Sequence, residues 1–375
     1  MKLLTFYIMK RMTRNFIILF TLFYLLGAVI DIIINLDEFD KIASEISGDG
    51  GFFARVMAII QVGIGFEGPR LFQVYAYLHG VIAIGAMAFT AANMLRSREF
   101  VALMAAGLSL RRIALPFLFV MGGISLVALL NQEIMLPKVA PLLLRDHGDI
   151  GKESVGSFSV PFTPDQNGVL LLSPSLNPTT GEIKEPTFLV RDENGRMIRQ
   201  IRATSATWEG GALGKWMLQD GKAVDVVFDE ETAQATIMPP VEVMYYETEL
   251  SPYILTLHRY SQFIGMLGMT QLNSMLEVAG TFDAPMLRRH WYARFATIVL
   301  NMLAMVIVIP LFVTRDPVVL SRQAMKCGGI GLTILFGGTI VMLMPIQGFP
   351  AIVSVFLPAL ILLPIGMFQL VNVRT

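Results

Sequence analysis

The chain has 375 residues, of which 54% are hydrophobic and 15% are charged, and its mean hydropathy is +0.61. These values indicate an integral membrane protein with a part in water, rather than a soluble domain. The net charge of +0 says nothing about nucleic acid, and the single cysteine excludes a disulfide framework or a thiolate metal cluster.

The first 15 residues carry four cations and no acid, and an apolar run from Phe16 to Ile34 follows them. This run is longer than the roughly 7–15 residues of a signal-peptide core and ends in no small-x-small cleavage pattern. It is therefore predicted to be the first transmembrane helix, with the N-terminus in the cytoplasm. Asp31, near the outer end of the run, is either a functional acid or a side chain that reaches the lipid headgroups, and the second interpretation is favoured.

An acidic external loop is predicted from Asn35 to Arg70, with a turn at 48–51 and a short interfacial helix over 53–64. The second span is predicted over 71–95, where many small residues would allow close helix packing. The third span is predicted over 113–136.

The segment from Met94 to Pro116 lies between these two spans, and arginines flank it on both sides, which places it on the cytoplasmic face. It is too polar to cross a bilayer, and its pattern predicts one short helix over 97–107. Such a helix either docks the chain onto a soluble motor protein or only anchors the turn at the membrane surface.

Individual residues of this segment have predicted parts in the helix. Ser97 can cap its start, Glu99 suits the positive end of its dipole, and Gly107 is a natural stop. The flanking cations are Arg96, Arg98, Arg111 and Arg112, and the apolar stripe comprises Phe100, Leu103, Met104, Gly107 and Leu108.

The composition changes between Pro137 and Leu257, where no apolar run is long enough to span. Short β-type segments alternate with breaks such as DENG and QDG, a pattern typical of a β-sandwich or jelly roll. Because this domain follows three spans, it is predicted to lie outside.

The remainder is predicted to contain a surface helix at the membrane and three further spans. The fold class is therefore an α-helical membrane protein with six transmembrane helices, three on each side of an inserted β-domain. Both chain ends are predicted in the cytoplasm, and the domains are 1–136, 137–257 and 258–375. The surface helix is predicted over 257–280 and the spans over 295–313, 327–345 and 349–371.

Three arginines, Arg288, Arg289 and Arg294, precede the fourth span on the side that this count places outside. Such a cluster indicates a wrong span count, a site for an anionic ligand at the outer face, or anchoring to headgroups. These interpretations remain open.

Several chemistries have no sequence signature in this chain. There is no P-loop, so the chain cannot be the ATPase of a transporter, and no G-x-S-x-G or H-E-x-x-H motif suggests an enzyme. No catalytic residue, metal site or cofactor is expected. Cys327 is predicted to be a packing residue, and His79 a packed histidine rather than a metal ligand.

Three stretches resemble the LptF/LptG permeases of the lipopolysaccharide export system. SREFVALMAAGLSLRRI is similar to the family's cytoplasmic coupling segment, and IRATSATWEGGALGKWMLQDGKAV to strands of its β-domain. FPAIVSVFLPALILLPIGMFQL is similar to its last helix, and DIIINLDEF looks more like the G-type than the F-type member. Arg294 matches an arginine that the family places just before the fourth span.

The resemblance implies a permease subunit of an ABC transporter in the bacterial inner membrane. It would extract lipopolysaccharide or a related glycolipid and pass it to a periplasmic bridge, with the β-jelly roll in the periplasm. Implied partners are a cytoplasmic ABC ATPase dimer, a second LptF/LptG-type permease and periplasmic jelly-roll bridge proteins. The alternative is a mechanotransmitting subunit that moves no lipid.

The resemblance also implies roles for single residues. Glu99 would head the coupling helix, and Phe100, Leu103 and Met104 would face a groove of the ATPase. The family tends to place basic residues at the outer end of the first span, where this chain has only Lys41. With Arg288, Arg289 and Arg294, Lys41 completes the candidate contacts for lipid phosphates.

Overall fold

The computed structural model describes most of the chain, in two compact units. One unit comprises residues 1–151 and 284–375, and the other comprises residues 152–283. Two residues of the predicted DENG turn, Glu193 and Asn194, lie outside the described residues. Those described are 2–48, 51–143, 157–178, 180–192, 195–210, 214–228, 235–261, 264–277, 283–313, 319–346 and 348–372.

The first unit is helical throughout its described part. Six stretches of it are long and apolar enough to cross a membrane, which confirms the predicted fold class. Its helices are α1 (Lys2–Ile34), α2 (Leu36–Ser47), α3 (Phe52–Arg96), α4 (Glu99–Ala105), α5 (Leu110–Leu130), α6 (Leu136–Leu143), and, after the insertion, α9 (Ala284–Val308), α10 (Leu320–Leu332), α11 (Gly338–Leu343) and α12 (Ala351–Asn372).

The predicted external loop is a helical hairpin. The second span extends back to Phe52, so the predicted interfacial helix is the first part of α3, which is 45 residues long and contains Pro69. Phe39 of α2 packs edge to face on Phe66 of α3, with 5.7 Å between the ring centroids, and Val62 belongs to the same small buried cluster. The amphipathic α2 therefore covers one side of the α3 extension.

Two of the spans contain a π turn, in which the helix widens locally. The third continues from α5 through Asn131–Met135 into α6, and the fifth from α10 through Thr333–Gly337 into α11. The fourth span begins at Ala284 and ends in a 3-10 turn at Ile309–Leu311. The arginine cluster therefore lies within this helix and does not precede it, because the helical stretch begins eleven residues before the predicted start.

The core of the first unit contains one buried polar group that joins three helices. His79 Nδ1 donates towards the carbonyl oxygens of Tyr75 and Ala76, so Nε2 is free to accept from Asn301 Nδ2 at 3.0 Å. Asn301 Nδ2 also lies 3.2 Å from Ser125 Oγ. His79 is thus a packed histidine, and Cys327 is a buried packing residue of the same unit.

The second unit contains an 11-stranded, wholly antiparallel sheet, the form that the predicted β-insertion takes. Its order is β10-β8-β5-β4-β2-β3-β6-β7-β11, with β1 on β2 and β9 on β8. The strands are β1 (Phe158–Pro164), β2 (Leu170–Asn177), β3 (Glu182–Lys184), β4 (Thr187–Arg191), β5 (Met197–Arg202), β6 (Ser205–Gly210), β7 (Gly214–Gln219), β8 (Lys222–Phe228), β9 (Ala235–Ile237), β10 (Val241–Glu242) and β11 (Tyr245–Thr248).

One sheet face is buried around Trp216, whose indole Nε1 donates to the carbonyl of Leu250 at 3.1 Å. The predicted surface helix of 257–280 is instead two short helices, α7 (Pro252–Ser261) and α8 (Met269–Glu277), with a 3-10 turn at 264–266 between them. Ile254 and Leu255 of α7 join the buried core of the sheet. These helices therefore belong to the inserted unit, whereas the sequence interpretation grouped them with the last three spans.

Candidate coupling site

The segment between the second and third spans contains α4, which has seven residues and is shorter than the predicted helix. Because α3 continues to Arg96, Ser97 closes the end of that helix, with its Oγ 2.8 Å from the carbonyl oxygen of Asn93. The residue before α4 is Arg98, in the left-handed backbone region at φ 59°. The prediction that Ser97 caps the coupling helix is therefore wrong.

Gly107 ends α4 as predicted. The amide of Leu108 donates to the carbonyl of Leu103 at 3.2 Å, and the amide of Gly107 donates to that of Met104 at 2.9 Å. This pair of bonds is a Schellman motif, which requires a left-handed residue, and Gly107 has φ 79°. Glycine suits this position because it has no Cβ to clash.

The apolar stripe of α4 turns towards the protein, with Phe100 as its buried member. Phe100 is only 1% exposed and belongs to the same buried cluster as Met94 and Ile113. Leu103 and Met104 are partly buried against that cluster. Phe100 is thus covered by the chain's own spans, which does not fit the expectation that it faces a partner's groove, whereas Leu103 and Met104 keep part of their surface exposed.

The outward face of α4 is small and mildly apolar. Val101 is 58% exposed, and Ala102, Ala105 and Ala106 are also exposed. This face, which lies opposite Phe100, is the part of α4 that is accessible to another protein.

Glu99 is held by donors from its own chain. Its Oε1 accepts from Arg11 Nη1 at 2.7 Å and lies 2.8 Å from Ser97 Oγ, and its Oε2 lies 3.4 Å from Tyr7 Oη. Arg11 also donates to Tyr7 Oη at 2.9 Å. Burial raises the pKa of Glu99, but the hydrogen bonds from Arg11 and Ser97 outweigh it and lower the pKa below its ordinary value.

Arg11 and Tyr7 were not among the predicted site residues, because the first 15 residues were interpreted only as topology-determining charge. A helical signal was present. Tyr7 and Arg11 are four residues apart, and the intervening Ile8 and the following Met12 lie on the buried side of α1. A buried stripe beside an i, i+4 polar pair indicates a packed helix rather than a free basic tail.

The four candidate phosphate contacts have different environments. Lys41 is exposed on α2, and Arg288 is exposed and Arg289 partly buried on α9. Arg294 is buried and forms an ion pair with Glu133. It is therefore removed from the candidates, because its guanidinium neutralises a carboxylate inside the protein.

Asp31 takes part in a partly exposed ion pair. Arg70 Nη1 lies 2.9 Å from Asp31 Oδ2 and 2.9 Å from Glu67 Oε1. Asp31 therefore joins the end of α1 to the middle part of α3, and the favoured interpretation, that it reaches towards headgroups, stays a prediction.

An apolar groove of about 400 Å³ lies between the second and fifth spans. Its volume is within the range of small-molecule sites, and its walls are mostly small or aliphatic side chains. The lining residues are Val81, Ile84, Gly85, Ala88, Phe89 and Ala92 of α3, with Ala324, Cys327, Gly328, Gly331, Leu332 and Leu335 opposite. Among the described residues, no group of three or more His, Cys, Asp or Glu side chains could hold a metal ion.

A family model described as lipopolysaccharide export system permease LptF/LptG matches residues 78–372. A comparison with curated proteins finds no match. The matched region contains α4, the inserted unit and the last three spans, and it covers well over half of the chain. With six helices long and apolar enough to cross a membrane, and a β-sheet inserted in the sequence between the third and the fourth, this chain belongs to the LptF/LptG family of lipopolysaccharide export permeases.

Proposed function

We propose that this protein is the permease subunit of an ABC transporter that extracts lipopolysaccharide, or a related glycolipid, from the inner membrane. A separate cytoplasmic ATPase dimer hydrolyses ATP, a second LptF/LptG-type permease completes the transmembrane part, and periplasmic jelly-roll proteins receive the lipid. The preference for the G-type member remains a prediction from the sequence.

The distribution of cations supports an orientation with both chain ends in the cytoplasm and the sheet unit in the periplasm. Lys10, Arg11 and Arg14 lie near the start of α1, and Arg96 and Arg98 lie beside α4. Cytoplasmic segments near membrane helices are enriched in Lys and Arg. Both groups of cations therefore belong on the side where ATP is available.

The observation that carries the proposal is the outward face of α4. The side chain of Phe100 is buried among the spans, so α4 moves when the spans move. On the opposite face, Val101, Ala102 and Ala105 remain accessible. Small side chains allow a partner's backbone to come close. Segment 97–107 then docks through this face. Phe100, Leu103 and Met104 attach the opposite face of α4 to the spans.

The lipid-handling part of the proposal is supported by exposed apolar surface in the spans. Leu22, Phe23, Leu25 and Leu26 of α1 are each about half exposed, and the groove between the second and fifth spans is apolar. Such surfaces accept acyl chains through the hydrophobic effect.

The docking role is tested with a charge on the exposed face of α4. Val101→Glu should abolish co-purification of the ATPase, because it places a carboxylate in a close contact. Val241→Glu is the matched control, since Val241 is 56% exposed on the sheet unit. Normal ATPase recovery and normal export in Val101→Glu would contradict docking through this face.

The lipid-transporting and mechanotransmitting functions are separated by photo-crosslinking. A photoreactive residue at Leu332, in the groove, should form lipopolysaccharide adducts, detected with a lipopolysaccharide-specific antibody. The same residue at Leu126, an exposed position of the third span, should yield mainly phospholipid adducts. A mechanotransmitter should give no lipopolysaccharide adduct at either position.

A further inference from the structure

The carboxylate of Glu99 is already satisfied within the chain. Arg11, Ser97 and Tyr7 surround it, and the side chains of Arg11 and Glu99 are only 18% and 28% exposed. A charged pair with further hydrogen bonds and limited access to water is stronger than an isolated surface salt bridge. Glu99 is therefore held in place before any other protein approaches.

The partner of Glu99 belongs to a different membrane helix. α4 is joined covalently to α3 and α5, so any displacement of α4 must move those two spans. α1 is distant in sequence, since Arg11 and Glu99 are separated by 88 positions. The chain joins α1 to α3 only through α2, at the end of α1 far from Arg11, so beside α4 only non-covalent contacts can carry a displacement to the first span.

The cytoplasmic end of α1 makes such contacts on one face. Ile8 and Met12 are buried in the same cluster as Phe100, and Asn15 Nδ2 donates to Thr90 Oγ1 at 2.7 Å. Further along, α1 exposes Leu22 and Phe23. Contacts of α1 with α3 continue along the helix, where Phe16 and Phe20 pack on Tyr75, but the polar link of α1 to α4 is made at Arg11 and Tyr7.

We propose that the Arg11–Glu99 pair is the joint through which displacement of α4 reaches the first span, with Arg11 acting as a positioning residue. This inference rests on the proposed function, because it requires an ATPase that moves α4. A helix is stiff along its axis, so a displacement of Arg11 moves the rest of α1 with it. In this arrangement Glu99 works inside the permease and is not the contact for a cation of the ATPase.

The test uses the complete complex of both permeases and the ATPase, reconstituted with lipopolysaccharide in liposomes. Arg11→Met should leave assembly and basal ATP hydrolysis unchanged but lower the lipid extracted per ATP by about five-fold or more, the size of a modest coupling between sites. Arg14→Met is the matched control, because Arg14 is an exposed cation one turn along the same helix. It should behave as the unmodified protein does.

The charge-exchanged protein Arg11→Glu/Glu99→Arg separates an internal joint from a direct contact with the ATPase. If the pair is a joint, the exchange restores most of the lipid extracted per ATP, because opposite charges again meet between α1 and α4. If Glu99 instead meets a cation of the ATPase, the exchange stays defective, since the guanidinium introduced at position 99 would repel that cation. A persistent defect would overturn the inference.

The remaining outcomes also decide the inference. Unchanged extraction in Arg11→Met would overturn it, as would loss of the ATPase from that variant, because Arg11 would then serve docking. If Arg11→Met does not accumulate, Arg11→Lys keeps the charge with fewer donors and should show a smaller loss of extraction per ATP; an unchanged ratio would contradict the inference. An unmodified complex without any ATPase would refute the proposed function itself.

Discussion

Arg294 and Glu133 form an ion pair between the fourth span and the end of the third, across the interval of sequence that contains the whole sheet unit. Glu133 lies in the π turn at Asn131–Met135, and Asn131 of that turn donates to the carbonyl of Phe72 at 2.8 Å. The turn thus connects the third span to both the second and the fourth. Arg294 is 4% exposed, so its charge is almost wholly shielded from water.

Removing one member of this pair should destabilise the protein strongly. Glu133→Ala leaves a buried guanidinium without its carboxylate, and the expected cost is about 3 kcal/mol. The double variant Glu133→Leu/Arg294→Met carries no charge and keeps similar volumes, so it should recover most of that loss. Thermal unfolding in one detergent compares the three proteins. A double variant that is no more stable than Glu133→Ala would contradict this account.

The sheet unit should lose stability in mild acid because of His258. Burial lowers the pKa of this side chain to about 4, whereas an unfolded histidine has its ordinary value of 6.5. Between these values the unfolded chain binds a proton that the folded unit does not, so stability falls as pH falls through that window. Because solvent reaches a partly buried ring, the expected loss at pH 5 is about 1 kcal/mol.

His258→Phe should remove this part of the pH dependence. Unfolding at pH 7.5 and pH 5 can be followed by the fluorescence of Trp208 and Trp216, which lie in the sheet unit. The difference between the two pH values should shrink in the variant. An equal difference in both proteins would exclude His258 as its source.

The hydrogen-bonded cluster of Asn301, His79 and Ser125 should contribute more to the free energy of unfolding than a single hydrogen bond. Asn301→Leu leaves His79 Nε2 and the Ser125 hydroxyl without their shared donor inside the core, at an expected cost of about 2 kcal/mol. Thr297→Val is the control on the same helix, because Thr297 Oγ1 bonds only within α9, to the carbonyl of Ala293. Equal melting temperatures for the two variants would argue against an interhelical role for Asn301.

Cys327 provides a probe of the contact between the second and fifth spans. It is the single cysteine of the chain and is buried, so it should react slowly with a membrane-permeant maleimide. A Cβ at Gly331 would lie 3.2 Å from Ile84 Cγ2, so Gly331→Leu should push the spans apart.

The labelling rate of Cys327 should then rise by about tenfold, which corresponds to a decrease of about 1.4 kcal/mol in the free energy of local opening. Gly328→Leu is the control, because nothing lies within 4 Å of a Cβ there. Equal labelling rates in the two variants would show that Gly331 is not a contact point between the spans.

The architecture could be predicted because hydropathy and turn chemistry are local properties. Each span had to contain its own apolar run, since a helix in lipid satisfies its backbone internally. The breaks of the β-insertion and the stop at Gly107 were likewise determined by neighbouring residues. The predicted segment boundaries were less accurate: charges near Arg70 suggested a loop end, yet the helix continues through Pro69.

The partners of the site residues could not be predicted, because helical periodicity identifies a face but not what covers it. The stripe at Phe100, Leu103 and Met104 was correctly recognised as one face, yet the chain's own core covers Phe100 and part of the other two. Glu99 was recognised as a charged head, but its partner Arg11 lies 88 positions away. Arg294 was interpreted as a surface cation because Glu133 stands on the other side of the insertion.

The length of α3 has a geometric consequence. At a rise of about 1.5 Å per residue, its 45 residues extend over about 67 Å, compared with about 40–45 Å for a bilayer with its headgroups. A tilt of about 10° at Arg96 would swing Phe52 through roughly 12 Å, with the helix as a lever of that length. A small rotation beside α4 is thereby magnified at the far tip of the hairpin.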